Sequence, residues 1–209
     1  AKKSIAGKEN YKLYSNEKNM GPLANAYNGA MKLCTKLQDE DIIAILDGDD
    51  FLFSSKSLSL LNEKYQDKDC WMTYGSYINL SDKKKGKFSK QVPEHIVKAN
   101  MYRNYQWCTS HMRTYKSFLL KNVNTNDLLD ENGDFYRAAG DLALMFPLLE
   151  MSGKNAKYVS DILYIWNDLS PFNEHKSKRD VQLLCESQIR NGKKYSKLEN
   201  RGDKIASKS

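Results

Sequence analysis

Apolar positions recur at three- and four-residue spacing through Leu23, Ala26, Tyr27, Ala30, Met31, Leu33, Cys34 and Leu37. That is the period of an amphipathic helix. Ahead of it Asn19-Met20-Gly21-Pro22 reads as a turn, with Pro22 suited to the first helical position, and the pattern ends near Gln38. Residues 42–46, Ile-Ile-Ala-Ile-Leu, form an unbroken apolar run that predicts a buried strand. A second helix is expected over 55–65 and a strand over 70–74. After a basic stretch at 81–90, expected to be a mobile loop, the pattern predicts a helix within 93–102. A short strand at 111–115 and a helix reaching Lys121 follow. Residues 127–133 are turn formers; Gly133 comes too early after Asp130 and Asn132 for an EF-hand loop, so a plain turn is expected. Residues 142–151 predict a buried helix containing Pro147 and stopped by Gly153. A strand at 158–166 and a helix at 178–191 complete the series. Tyr11-Lys12-Leu13-Tyr14 allows one short early strand. The alternation predicts an α/β layered fold, in which ligands collect at the carboxyl ends of strands.

Length and composition set the frame. The 209 residues suit one domain, expected over 1–198, with a flexible polar tail at 199–209. Hydrophobic content of 40% and charged content of 28% are those of a soluble globular protein. The net charge of +7 is concentrated in Lys83-Lys84-Lys85-Gly86-Lys87 and around Lys193, Lys194 and Lys197. Such runs are ordinarily solvated. No helix-turn-helix, zinc-finger or RNP-like pattern accompanies them, which argues against a nucleic-acid partner. A basic surface instead suits an anionic substrate. Cys34, Cys70, Cys108 and Cys185 form no CxxC pair and have no histidine at zinc spacing. They read as reduced core thiols in a non-oxidising compartment. No apolar run approaches the ~18 residues of a membrane span, and the N-terminus is too polar for a signal peptide. A cytoplasmic location is the expectation.

The candidate chemistry follows directly on the 42–46 run. Asp47, Asp49 and Asp50 surround Gly48, and carboxylates this close repel one another unless a divalent cation lies between them. Hard cations such as Mg²⁺ or Mn²⁺ take oxygen ligands, commonly one or two carboxylates together with substrate phosphates. Gly48 lets backbone and ligand approach without a Cβ.

The order of features resembles a glycosyltransferase of family 2. It runs from Asn19-x-Gly21-x-x-Ala24-Asn25-x-x-Asn28-Gly29 to Ile45-Leu46-Asp47-Gly48-Asp49-Asp50. Gly140-Asp141-Leu142 and Asn173-Glu174-His175-Lys176 follow. The resemblance covers roughly residues 15–180 and implies a GT-A-like (Rossmann-like) mixed sheet flanked by helices. It also implies transfer of a sugar from a nucleoside-diphosphate sugar, a UDP-sugar being the expected donor, to a carbohydrate or glycosylated acceptor. Inversion and Mn²⁺ or Mg²⁺ dependence are implied with it. The roles carried over are Asp49 as metal ligand, Asp47 shared between ribose and metal, and Asp50 as support or second ligand. Asp141 is the base that deprotonates the acceptor hydroxyl, or else only the cap of its helix. His175 is a further metal ligand and Lys176 a phosphate contact, with Asn25 also on the donor side. Trp107, His111 and Arg113 lie where such folds build the acceptor site, or else are ordinary core residues.

Two departures qualify the resemblance. The Gln-x-x-Arg-Trp signature of processive polysaccharide synthases is absent. Only about eighteen residues precede the Asn-x-Gly helix, where the family has a strand, a nucleobase-gripping loop and a further βα unit. The resemblance therefore implies an N-terminally truncated GT-A domain. The main rival is a non-catalytic binding or scaffold module of the same fold. A second rival, a phosphohydrolase with Asp-x-Asp after a strand, expects Thr or Val where Phe51-Leu52 stands.

Overall fold

Over residues 11–171 and 179–203, which the computed structural model of the chain describes, helices flank one mixed sheet. Its strands are β1 (Ile42–Ile45), β2 (Phe51–Leu52), β3 (Met72–Asn79), β4 (Arg113–Lys116) and β5 (Ala156–Trp166). They lie in the order β1-β4-β3-β5-β2. β3 and β5 run parallel, and the other neighbours are antiparallel. The helices are α1 (Pro22–Asn28), α2 (Ser57–Lys64), α3 (Glu94–Ala99), α4 (Ser117–Lys121), α5 (Gly140–Ser152) and α6 (Arg179–Asn191). The expected α/β class and the mixed, helix-flanked sheet are both present.

α5 organises the larger core. Every residue from Leu142 to Ser152 is buried, as a helix apolar on all sides must be, and it runs through Pro147 before stopping at Gly153 as expected. Leu23 and Tyr27 of α1, Phe118, Leu119 and Leu120 of α4, Trp71 and Met72 beside β3, and Ile189 of α6 pack around it. A smaller cluster joins Leu61 of α2 to Tyr77, Val159, Leu163 and Tyr164. Gly140 starts α5 so close to α1 that a Cβ there would lie 2.8 Å from Leu23 Cβ. The C-terminal segment is stitched to this core. The Tyr195 amide donates to Glu150 Oε2 (3.0 Å) and its hydroxyl to Asp127 (2.5 Å). Leu198 N donates to Met151 O at 3.0 Å, and Arg201 pairs with Glu40 at 3.0 Å.

Several expectations are corrected. The first helix does not reach Gln38. After Asn28-Gly29 the turns widen to a π-helical stretch, Gly29–Leu33, and Cys34 leaves helical geometry with ψ 87°. Gly in mid-helix favours such loosening. Cys34 is consequently exposed, whereas Cys70, Cys108 and Cys185 are buried free thiols as expected. The 42–46 run is not a buried strand. β1 is an edge strand paired only with β4 among the described residues, and Ile42 and Leu46 are 41% and 46% exposed. An apolar run carries no information about where its strand falls in the sheet order. Residues 11–14 are irregular and exposed rather than a strand.

The basic stretch at 81–90 is tied to the sheet. Gly86 N donates to Tyr77 O at 2.9 Å, and bridges join Ile78 to Lys85 and Ser89 to Thr109. The Asp130 turn is plain, as expected, with the Asp130 carboxylate accepting from the amides of Asn132 (2.9 Å) and Asp134 (3.1 Å). No helix among the described residues is long and apolar enough to cross a membrane.

Candidate functional site

The turn after β1 is closed by Asp50 N donating to Asp47 O at 3.1 Å. This closure leaves Asp47 and Asp50 partly buried and Asp49 exposed. Asp50 is fastened by β5 and the residue just after it, β5 being the neighbour of the edge strand β2. The Tyr164 hydroxyl donates to its Oδ2 (2.6 Å) and the Asn167 amide to its Oδ1 (2.7 Å). Tyr164 also accepts from Asp47 N at 3.2 Å, so a single phenol of β5 fixes both ends of the acidic turn. Tyr164 reaches this position because β2, which directly follows Asp50, pairs with β5 so that Leu52 lies opposite Tyr164; across β3 the pairing slips between Gly75 and Tyr77, bringing Tyr77 opposite Tyr164. Such irregularities bend a strand and re-aim its side chains.

His111 enters from the other side, from the bend just ahead of β4, and its Nδ1 lies 3.4 Å from Arg113 Nη2. Its ring stacks on Tyr164 (centroids 4.4 Å apart, 12° between planes) and meets Tyr77 edge-on at 5.6 Å. Ligand atoms of Asp47, Asp50 and His111 all lie within 4.8 Å of one another. Burial, opposed by the Asn167 and Tyr164 hydrogen bonds and reinforced by Asp47 and Asp49, raises the Asp50 carboxyl above its ordinary range. Burial, with the neighbouring Arg113, holds His111 well below the usual imidazole value. A neutral imidazole is the form that ligates metals. Two carboxylates and a neutral imidazole are a donor set that fits Mn²⁺, and a carboxylate-lined site also takes Mg²⁺.

Arg113 pairs with Ile45 in the β1–β4 register and points into the site. Its side chain is 8% exposed, with Nη2 3.7 Å from Asp47 Oδ2 and Nη1 3.5 Å from Asp141 Oδ2. Asp141 stands in the first turn of α5, whose cap is Ala139 rather than Asp141 itself. Ala139 makes no side-chain cap hydrogen bond, whereas Asp141 Oδ1 accepts from the Leu142 amide at 3.0 Å, and the Asp141 side chain remains 35% exposed.

These groups share one cavity of ≈ 890 Å³, within the size range of small-molecule sites. The acidic turn, Trp107, His111, Arg113 and Asp141 all line it, so residues read separately as metal, base and acceptor groups converge. Trp107 packs edge-on to Phe146 at 5.8 Å. Asn25 does not line the cavity; it is exposed on α1, with Oδ1 accepting from Asn16 Nδ2 at 2.7 Å. His175 and Lys176 lie outside the described residues.

Sequence reasoning placed His111 on the acceptor side and did not single out Tyr164. The expected strand at 111–115 begins only at Arg113, and His111 meets Arg113 from the bend before it, which strand spacing does not foretell. Tyr164 sits in an apolar strand and carried no local signal. Compared with models of known protein families and with curated proteins, the chain finds no match.

Proposed function

We propose that this chain is a metal-dependent glycosyltransferase of GT-A type that moves a sugar from a nucleoside-diphosphate sugar to an acceptor hydroxyl with inversion. One observation carries the reading: the acid cluster and Asp141 line the same cavity, bridged by one buried arginine. The order of sequence motifs supports it independently.

In this reading Asp47, Asp50 and His111 hold Mn²⁺ or Mg²⁺, with Asp49 at the exposed lip of the turn. The bound ion supplies charge neutralisation and Lewis acidity at the departing diphosphate. Tyr164 and the Asn167 amide hold Asp50 in place, so little side-chain freedom is lost when a ligand arrives. Asp141 accepts the proton of the acceptor hydroxyl as its oxygen forms a bond to the anomeric carbon. The anomeric carbon–phosphate oxygen bond breaks, and its electron pair leaves on the nucleoside diphosphate. Helix α5, buried along its length, gives the base a rigid mount. Trp107 offers an apolar ring at the cavity wall for a sugar face.

The test is calorimetric titration of UDP and UDP-sugars with and without Mn²⁺, alongside an assay of nucleoside diphosphate release. Metal-dependent binding is expected in the wild type and lost in Asp47→Asn/Asp50→Asn. Asp141→Asn should keep donor binding and lose transfer by a factor of 10² or more, the ordinary contribution of a general base. Donor binding indifferent to metal would leave the binding-module reading in its place. Full turnover in Asp141→Asn would remove that residue from the mechanism.

A further inference from the structure

Among the described residues, two buried arginine–carboxylate sites are built differently. Arg103 is locked: Nε and Nη2 reach Glu150 at 2.6 and 3.0 Å, and Nη1 reaches the Ile189 carbonyl at 2.5 Å. That is the short bidentate geometry of a charge-assisted pair, ~2.7–2.9 Å per bond. Arg113 is as well buried, yet none of its contacts is that short. Nη2 lies 3.7 Å from Asp47 Oδ2 and 3.4 Å from His111 Nδ1, and Nη1 lies 3.5 Å from Asp141 Oδ2. Its Nε has no hydrogen-bond partner among the described residues. A desolvated guanidinium without a fork-on-fork partner is costly. What holds it is the summed field of the carboxylates around it and the long contact to His111 Nδ1, so it can shift without breaking a short hydrogen bond.

The position of Arg113 matters as much as its looseness. Nη2 faces Asp47 and His111, two of the three groups whose ligand atoms converge. Nη1 faces Asp141, the group on the opposite side. A divalent ion taken up by Asp47 and His111 needs the lone pairs that Nη2 now faces, and it repels a guanidinium at that distance.

We propose that Arg113 is a resident counter-cation. It balances the acid cluster before the metal arrives, and it is displaced from Asp47 and His111 toward Asp141 when the metal binds. Arg113 is thus a positioning residue that couples occupancy of the metal site to the placement of the Asp141 carboxylate. The inference rests on the metal site of the proposed function and adds its regulation: the base is fully oriented only once the ion is in.

The test uses the full chain, with Mn²⁺ alone as the probe and no nucleotide present. Mn²⁺ affinity is measured by calorimetry for wild type, Arg113→Met and Arg113→Lys, with thermal melting to confirm folding. Removing a unit charge a few ångströms from a divalent ion should tighten Mn²⁺ binding about tenfold or more in Arg113→Met. Arg113→Lys keeps the charge without the planar fork and should fall between the two. It carries the test if the Met variant does not fold. A purely structural role for Arg113 predicts the reverse, because loosening the site weakens metal binding.

Equal or weaker Mn²⁺ affinity in folded Arg113→Met, or in Arg113→Lys should it stand in, overturns the counter-cation while leaving the glycosyltransferase reading intact. Absence of Mn²⁺ binding in every protein, wild type included, overturns both.

Discussion

Ala139, the cap of α5 and the residue just ahead of Gly140-Asp141, holds a left-handed backbone conformation with φ 53° and ψ 25°. A Cβ costs roughly 1–2 kcal/mol there, and no side-chain hydrogen bond at the cap offsets it. Strain of this kind persists where the surroundings over-determine the backbone, and here they do. The next residue must approach Leu23 without a Cβ, and the one after must face Arg113. Ala139→Gly should therefore raise stability by about 0.5–1 kcal/mol, the relieved strain being partly cancelled by the entropy glycine gains in the unfolded chain. A melting temperature higher by roughly 1–4 °C is expected for a chain of this size. An unchanged or lower value would mean that the conformation is not strained. At this scale the site was half legible. Asp47 and Asp141 were recognisable from their neighbours, a Gly beside each and an apolar segment next to it. Which of Asp49 and Asp50 turns inward was not, because the hydrogen bond closing the turn and the Tyr164 hydroxyl decide it. Neither is written in residues 42–50.

Among the elements, the basic loop at 81–90 departs most from its appearance in sequence. Lysine density reads as a solvated, mobile segment, yet Gly86 packs so tightly on the Tyr77 ring that any Cβ would overlap ring carbons. Tyr77 in turn stands edge-on to His111, so the loop is one side chain removed from the acid cluster. Gly86→Ala should push the loop off the sheet and cost about 1–3 kcal/mol, the usual range for overpacking a close contact. Urea denaturation measures this directly; a midpoint equal to wild type would show that the loop is not anchored there. Regular elements were more legible than this loop. α2, α4, α5, β4 and β5 follow periodicity and stop signals such as Gly153, all of which are local. The edge position of β1 and the slip between Gly75 and Tyr77 depend on partners far along the chain. No window of sequence contains them.

At the scale of the whole molecule, buried phenols couple fold to site. Burial, the largest cause in each case, pushes the Tyr74 and Tyr77 hydroxyls up to about 12. It also raises those of Tyr65, Tyr102, Tyr115, Tyr164 and Tyr195. In the unfolded chain a tyrosine titrates near ~10. Below that pH both states keep their protons, and these groups contribute their full stability. Above it the unfolded chain releases protons that the folded chain retains, so stability falls as pH climbs from about 10 through 12. The phenols are spread across both packed clusters and the C-terminal segment, so their ionisation should be a single cooperative event. Spectrophotometric titration with parallel circular dichroism is expected to show the buried set turning to phenolate only as helix and strand signals disappear, between pH 10 and 12. Because Tyr164 is the donor that fixes Asp50, the acidic turn should lose its anchor in that same step. Phenolate formation centred near pH 10 with secondary structure intact would show that these hydroxyls are open to solvent. The anchoring of the acidic turn through β5 would then fail with them.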